Sequence, residues 1–376
     1  MMMKKAWFKV FAVVLAIACF SACTNEGSDE DIPNTRQRQT GQSEIDDNAA
    51  YDDSEINFGH YAPALEYQHF DGLRIATTND YAAMGMARMM EESHLGFYGE
   101  PGYQVDIYND SRALLYAFEN DNVKIANLPA TLAAELYNKT NGAISVLAIN
   151  SLGADFFVER LDRHLNYVSD MRKRKVYFTD AFSNTDWVTR YIFAKNHIDI
   201  RADIEYIHEA DYETIFNLMR DNDMAVAVIP AHIVLPESLK HREDNFVMGM
   251  ALYSEWANLE HSNELILSQY VSNVTVVKND YLFENTDDVI NFMARYQMSV
   301  DFINAPENRE KSAELIERHN IMESAEVAAR LPFRDIVFFH GNPMKERLKA
   351  YYEVMFDFDA TSIGSALPGD DFYYLG

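Results

Sequence analysis

Four short stretches carry side chains suited to holding a small molecule: "TTNDY" at 77–81, "LPAT" at 128–131, "TDAFSNTDW" at 179–187 and "IPAH" at 229–232. They offer hydroxyl, amide, imidazole and aromatic groups, which is chemistry for hydrogen bonding and stacking rather than for breaking bonds. Each follows an apolar run and opens an apolar helix-like segment. Unpaired backbone N–H groups and positive potential gather at such helix starts. The candidate ligand-binding residues are Thr77, Thr78, Asn79, Tyr81, Pro129, Thr131, Thr179, Ser183, Asn184, Thr185, Trp187, Pro230 and His232, with Trp256 as a second stacking wall beside Trp187. Pro129 and Pro230 suit helix starts, where a missing N–H costs nothing. Asp80, Asp180 and Asp186 disfavour a strong anion and favour a cation or a neutral heterocycle. No Gly-x-Ser-x-Gly, His-Glu-x-x-His, P-loop or Gly-x-Gly-x-x-Gly pattern occurs, so no catalytic residue, cofactor or metal is expected. The methionines of "MGMARMM" could bind soft copper, and read better as adaptable core packing. The histidines of "HIDIRADIEYIHEAD" fall across a loop and a strand, a poor arrangement for a metal.

The elements that position these stretches repeat. "LRIA" predicts a strand and the segment after it a helix, with Ala83, Met86, Ala87 and Met90 on one face. "YQVDIY", "VKIAN" and "AISVLAINSLG" predict further strands, with helices between them. "KVYF", "IEYIH" and "MAVAVIP" restart the same order. Thr77 to Pro129 spans 52 positions and Thr179 to Pro230 spans 51, which points to a duplicated architecture. Alternating strands and helices predict an α/β fold with mostly parallel sheets, flanking helices and a cleft between two lobes. Ligands of such sheets sit beyond the carboxyl ends of the strands. "YVSNVTVVK" is expected to return the chain to the first lobe, and 280–357 to be mostly helical. The expected lobes are 72–160 with 272–376, and 161–271.

Acids outnumber bases by 59 to 32, a net charge of -27, which argues against nucleic acid and anionic membrane surfaces as partners. Residues 24–71 hold 12 of the acids against 2 bases. They lack periodicity and read as a disordered acidic tether with a reach of ~35–40 Å. Ahead of it, "MMMKKAWFK" and "VFAVVLAIACFSAC" form the basic and apolar parts of a secretory signal at 1–23. Both cysteines, Cys19 and Cys23, lie at its end, and none is left in the body to form a disulfide. "FSAC" resembles a bacterial lipoprotein cleavage box, which implies lipidation of Cys23 and attachment to a membrane through the lipid alone. The alternatives are Cys19 as the modified residue, or ordinary cleavage that leaves Cys23 as a thiol. "SDED" resembles the surface-export tags of some Gram-negative lipoproteins, so the anchor could face the periplasm or the cell surface.

From Gly72 to Gly376 the chain resembles substrate-binding lipoproteins of ABC importers. It is most similar to the type II periplasmic binding proteins for nitrate, sulfonates, taurine and thiamine pyrimidine precursors. The resemblance rests on "VKIANLPATLAAELYNK" at 123–139, "VSDMRKRKVYF" at 168–178, "SEW" at 254–256 and the tail "TSIGSALPGDDFYY" at 361–374. It implies a monomeric two-lobed clamp that closes on a small solute and delivers it to a permease and ATPase. A ligand-sensing or surface-interaction lipoprotein of the same fold is the alternative. An enzyme acting on a pyrimidine-like substrate is a weaker one: the family resemblance includes a relative that makes a thiamine pyrimidine with iron and a cysteine-rich motif, and that motif has no counterpart in the body of this chain.

Overall fold

A computed structural model describes residues 72–98, 102–120, 122–161, 165–181, 183–259 and 269–376. The expected signal, Cys19, Cys23 and the tether lie outside the described residues. All described residues fall in one compact unit, Tyr67–Gly376.

The first lobe begins with β1 (Leu73–Thr78), α1 (Tyr81–His94), β2 (Tyr103–Tyr108), α2 (Ser111–Asn120), β3 (Ile125–Pro129), α3 (Ala130–Lys139) and β4 (Ile144–Leu152). The chain then crosses into the second lobe. There it forms β5 (Asp155–Arg160), β6 (Lys175–Phe178), α4 (Asn184–Lys195), β7 (Glu205–His208), α5 (Tyr212–Arg220), β8 (Val226–Pro230), α6 (Ala231–Lys240), β9 (Phe246–Ala251) and α7 (Leu252–Leu259). It returns as β10 (Val271–Lys278) and ends with α8 (Asn279–Glu284), α9 (Thr286–Asn304), α10 (Arg309–Arg318), α11 (Ala325–Ala328), β11 (Ile336–His340) and α12 (Gly341–Phe358).

The duplication extends to the strand order. The first sheet runs β11-β4-β10-β3-β1-β2 and the second β7-β6-β8-β5-β9. Read from one end, β4-β10-β3-β1-β2 matches β9-β5-β8-β6-β7. In each sheet three strands are parallel: β3, β1 and β2 in one, β8, β6 and β7 in the other. In each, the strand arriving from the other lobe lies antiparallel beside the third strand, β10 against β3 and β5 against β8. The first sheet therefore has two parallel and three antiparallel pairings, and the second has two of each. The crossing into the second sheet lies between β4 and β5, ahead of the boundary expected at residue 160.

The reasons for these elements are local. All nine residues of β4 are buried, and a mostly apolar run of that kind, with its polar Ser145, Asn150 and Ser151 hydrogen-bonded inside, suits a strand covered on both faces. Helix α1 begins where the Asp80 carboxylate accepts a hydrogen bond from the Ala82 N–H at 2.8 Å, an N-cap. Its methionines Met84, Met86 and Met89 are core residues, which settles the packing reading of that cluster. Helix α9 docks on α1: the Ser299 hydroxyl donates to the Gly85 carbonyl at 2.7 Å and the Tyr296 hydroxyl to the Ala82 carbonyl at 3.0 Å. The C-terminal helices thus pack on the first lobe. Strand β11 interrupts them and was not expected; nor were β5 and β9.

Candidate functional site

The carboxyl ends of β1, β3, β6 and β8 face one crevice of about 350 Å³, lined by residues of both lobes. Of the candidates, Thr78, Asn79, Tyr81, Pro129, Thr179, Ser183, Asn184, Thr185, Pro230 and His232 border it. Tyr81 and His232 meet across it edge to face, with ring centroids 5.7 Å apart.

Thr77, Thr131, Trp187 and Trp256 do not border the crevice. Thr77 is fully buried in the first sheet, where its hydroxyl accepts a hydrogen bond from Asn127 Nδ2 at 3.0 Å. Thr131 lies one layer behind the lining; its backbone N–H donates to Asn184 Oδ1 at 3.3 Å. Neither tryptophan is a stacking wall. Trp187 sits on the face of α4 that meets the core, one turn before the buried Tyr191. Trp256 is 1% exposed and packs against Tyr191 at 4.9 Å and Tyr351 at 5.3 Å between ring centroids. In both cases helical periodicity directs the ring inward.

At each of these helix starts the protein itself takes an N–H. Asp80 caps α1. The Ser183 hydroxyl accepts from the Asp186 N–H at 3.2 Å and caps α4. Asn184 takes one N–H of α3 through Thr131, and the Ala231 N–H at the start of α6 donates to the Ala154 carbonyl at 3.0 Å. The Asn184 side chain acts as a clasp between lobes. Its Oδ1 also accepts from the Tyr351 hydroxyl at 2.7 Å, and its Nδ2 donates to the Val271 carbonyl at 3.0 Å.

Several lining residues were not singled out from the sequence. Asp155 pairs opposite Pro230 across β5–β8, and Asn273 opposite Pro129 across β3–β10; the duplicated proline turns thus face equivalent polar residues. Asp155 Oδ2 accepts from the Tyr270 hydroxyl at 2.7 Å and the Thr185 hydroxyl at 3.2 Å. Asn273 Nδ2 donates to Asp80 Oδ2 at 3.0 Å, which also accepts from the Thr78 hydroxyl at 2.7 Å. Phe178 and Tyr212 add aromatic surface. A visible signal for Asp155 was its place as a lone acid in the apolar run "LGADFFV".

Burial sets the electrostatics. It pushes the Asp80 carboxyl up to about 6, against the hydrogen bonds it accepts from Thr78, Ala82 and Asn273, and the neighbouring Asp155 charge adds to the rise. Asp155 is raised for the same first reason, offset by its bonds from Tyr270 and Thr185. Burial lowers His232 to about 4, so its imidazole is neutral at pH 7. Asp186 is neutralised by Arg190 at 2.8 Å. Among the described residues that line the crevice there is no lysine or arginine.

No protein-family model matches this sequence, and a comparison with curated proteins finds no match either. Solved structures do match. An ABC transporter protein from Parabacteroides distasonis superposes with a TM-score of 0.59 at 16% identity, over 80% of this chain and 98% of that one. The alkanesulfonate-binding protein SsuA from Xanthomonas axonopodis pv. citri, bound to MOPS, gives 0.57 at 10% identity over 78% and 94%. The periplasmic aliphatic sulphonate-binding protein SsuA from Escherichia coli gives 0.59 at 11% identity over 79% and 97%. The chain has the two-lobed periplasmic-binding-protein fold.

Proposed function

We propose that this protein is the extracytoplasmic solute-binding component of an ABC importer. It clamps a small organic solute between its lobes, presents it to a permease and ATPase, and acts by binding without turnover. The observation that carries this reading is the single crevice to which both copies of the duplicated turn contribute. The named structural neighbours, an ABC transporter protein and two sulfonate-binding proteins, support it through the shared fold. Closure about the two crossing segments, 152–155 and 269–271, is the motion this architecture favours.

The test is a thermal-shift screen of small solutes and host extract against the full chain in detergent. A true ligand at a hundredfold its Kd should add about 2.7 kcal/mol of stability and be recovered chemically unchanged. A screen with no shift, or a product detected by mass spectrometry, would remove the importer reading.

Attachment is proposed to run through a lipid on Cys23. Cys23→Ser should move the protein from the membrane fraction to the soluble one, because a protein-linked diacylglycerol is the only strong membrane contact in this reading. Retention of the variant in washed membranes would refute the anchor.

A further inference from the structure

Resting on the solute-binding reading, we propose that the crevice selects a small organic cation, a protonated amine or amidine, held by Asp155 and Asp80 with Tyr81 and His232 as neutral partners. Carboxylates and sulfonates are rejected.

Asp155 is 5% exposed, and both hydrogen bonds it accepts go to one oxygen, Oδ2. Among the described residues no lysine, arginine or histidine lies within ion-pairing distance of Asp155 or of Asp80. Buried carboxylates are ordinarily matched by a cation. Asp155 is such a carboxylate; Asp80, partly buried, borders the same crevice, the two repel each other, and no side-chain cation among the described residues pairs with either.

A second observation is independent of the acids. Tyr81 is 3% exposed, borders the crevice, and its hydroxyl has no hydrogen-bond partner among the described residues. The Nδ1 of His232, whose ring meets Tyr81, is also buried without a partner, and so is Asn79 Oδ1. Asn79 Oδ1 accepts, the Tyr81 hydroxyl accepts as well as donates, and His232 Nδ1 accepts when the neutral ring carries its proton on Nε2; buried polar atoms left unpaired call for a partner, and these add to the acceptors of the two carboxylates. An acceptor-rich crevice is complementary to a donor-rich ligand, and the ammonium and amidinium groups are the donor-rich ends of small organic molecules.

The helix starts, the features that would suit an anion, are each partly taken by the protein itself. The start of α1 is capped by a carboxylate, and those of α3, α4 and α6 each have an N–H bonded to Asn184, Ser183 or Ala154. Phe178, stacked on Tyr206, and Tyr212 add aromatic side chains to the lining, a surrounding that tolerates organic cations.

The experiment uses the full chain in detergent and compounds matched in shape but not charge: benzamidinium, benzamide and benzoate, then the butylammonium, butyramide and butanesulfonate series, by calorimetry and thermal shift. In at least one series the cation should bind ~10-fold or more tighter than its amide, and the anions should not bind. Asp155→Asn, which keeps an acceptor for Tyr270 and Thr185, should weaken the cation by ~10–100-fold and the amide by less than ~3-fold. Asp80→Asn, which keeps a capping side chain, serves as a second variant should the first fail to fold. Anions binding as tightly as cations, no preference for cations in either series, or unchanged cation affinity in a folded variant would each overturn the proposal. If a neutral or anionic compound, or a component of host extract, binds while cations do not, the charge assignment fails and the solute-binding reading survives. If neither the compounds nor host extract binds, both fail.

Discussion

Gly153→Ala should cost ~3 kcal/mol or more, lowering the melting temperature by roughly 5 °C or more in a protein of this size. A Cβ at Gly153 would lie 1.9 Å from the ring of Tyr270, well inside any carbon–carbon contact. The ring cannot retreat: it is fully buried, its hydroxyl is held by Asp155, and its carbonyl accepts from the Gly153 N–H at 3.0 Å. The backbone at Gly153 is not in the left-handed region, so glycine is needed here for space and not for conformation. This separates the explanation from its rival. In a Tyr270→Ala background, itself destabilised, adding Gly153→Ala should cost less than ~1 kcal/mol, since the coupling between contacting residues would be gone. Urea denaturation of the four proteins of this cycle measures it. A single variant as stable as the parent, or an equal penalty in both backgrounds, would contradict the packing described.

Asn127→Ala should destabilise by ~3–4 kcal/mol, more than its modest size suggests. Its side chain is the centre of a sealed polar cluster beneath the crevice. Oδ1 accepts from Asn150 Nδ2 at 2.9 Å and from the Thr275 hydroxyl at 2.8 Å, while Nδ2 donates to Thr77 Oγ1 at 3.0 Å and Met86 Sδ at 3.2 Å. Asn127, Asn150, Thr275 and Thr77 are all fully buried. Removing the centre strands donors or acceptors on β1, β4 and β10 together, and each stranded group costs ~1–3 kcal/mol, partly relieved by relaxation. Thr275→Val, which removes one hydroxyl and keeps the shape, should cost ~1–2 kcal/mol. The check is the denaturant midpoint of each variant at equal m-value. An Asn127→Ala loss below 1 kcal/mol would mean that water or rearrangement satisfies the cluster.

Much of this arrangement was legible before any coordinates. The 52- and 51-residue spacings between hydroxyl turn and proline turn reflected a real duplication, because each spacing is one β-α-β-α-β unit. Thr78 at the end of β1, and Tyr81, Ser183 and His232 at helix starts, border the crevice, since a parallel strand followed by a helix leaves little choice of position. What escaped depends on partners distant in sequence. Strands β5 and β9 are six residues each, and β5 follows β4 across only Gly153 and Ala154, so the two read as one apolar run. Strand β11, five residues after a proline turn, draws its identity from pairing with β4. Asp155 and Asn273 become site residues only once β5 is set against β8 and β10 against β3. Asn184 borders the crevice as expected, but its role as a clasp is hidden from sequence, because its oxygen is bonded by Thr131, 53 positions away, and by Tyr351, 167 positions away. Trp187 and Trp256 were mistaken for cleft walls because composition does not reveal which side of a helix faces the core.

The antiparallel entry of β10 between β3 and β4 governs the order in which the lobes can be completed. The strands of the second sheet, Asp155–Arg160 to Phe246–Ala251, form one uninterrupted stretch of chain, so that lobe can assemble as soon as it emerges. The first sheet lacks its middle strand until Val271–Lys278 arrives and one border until Ile336–His340 does. For a chain delivered N-terminus first, the half that appears earlier is therefore the half that finishes later. In the interval β3 and β4 each present an unpaired, largely apolar margin, a liability to mispairing that lasts until the returning strand fills the gap.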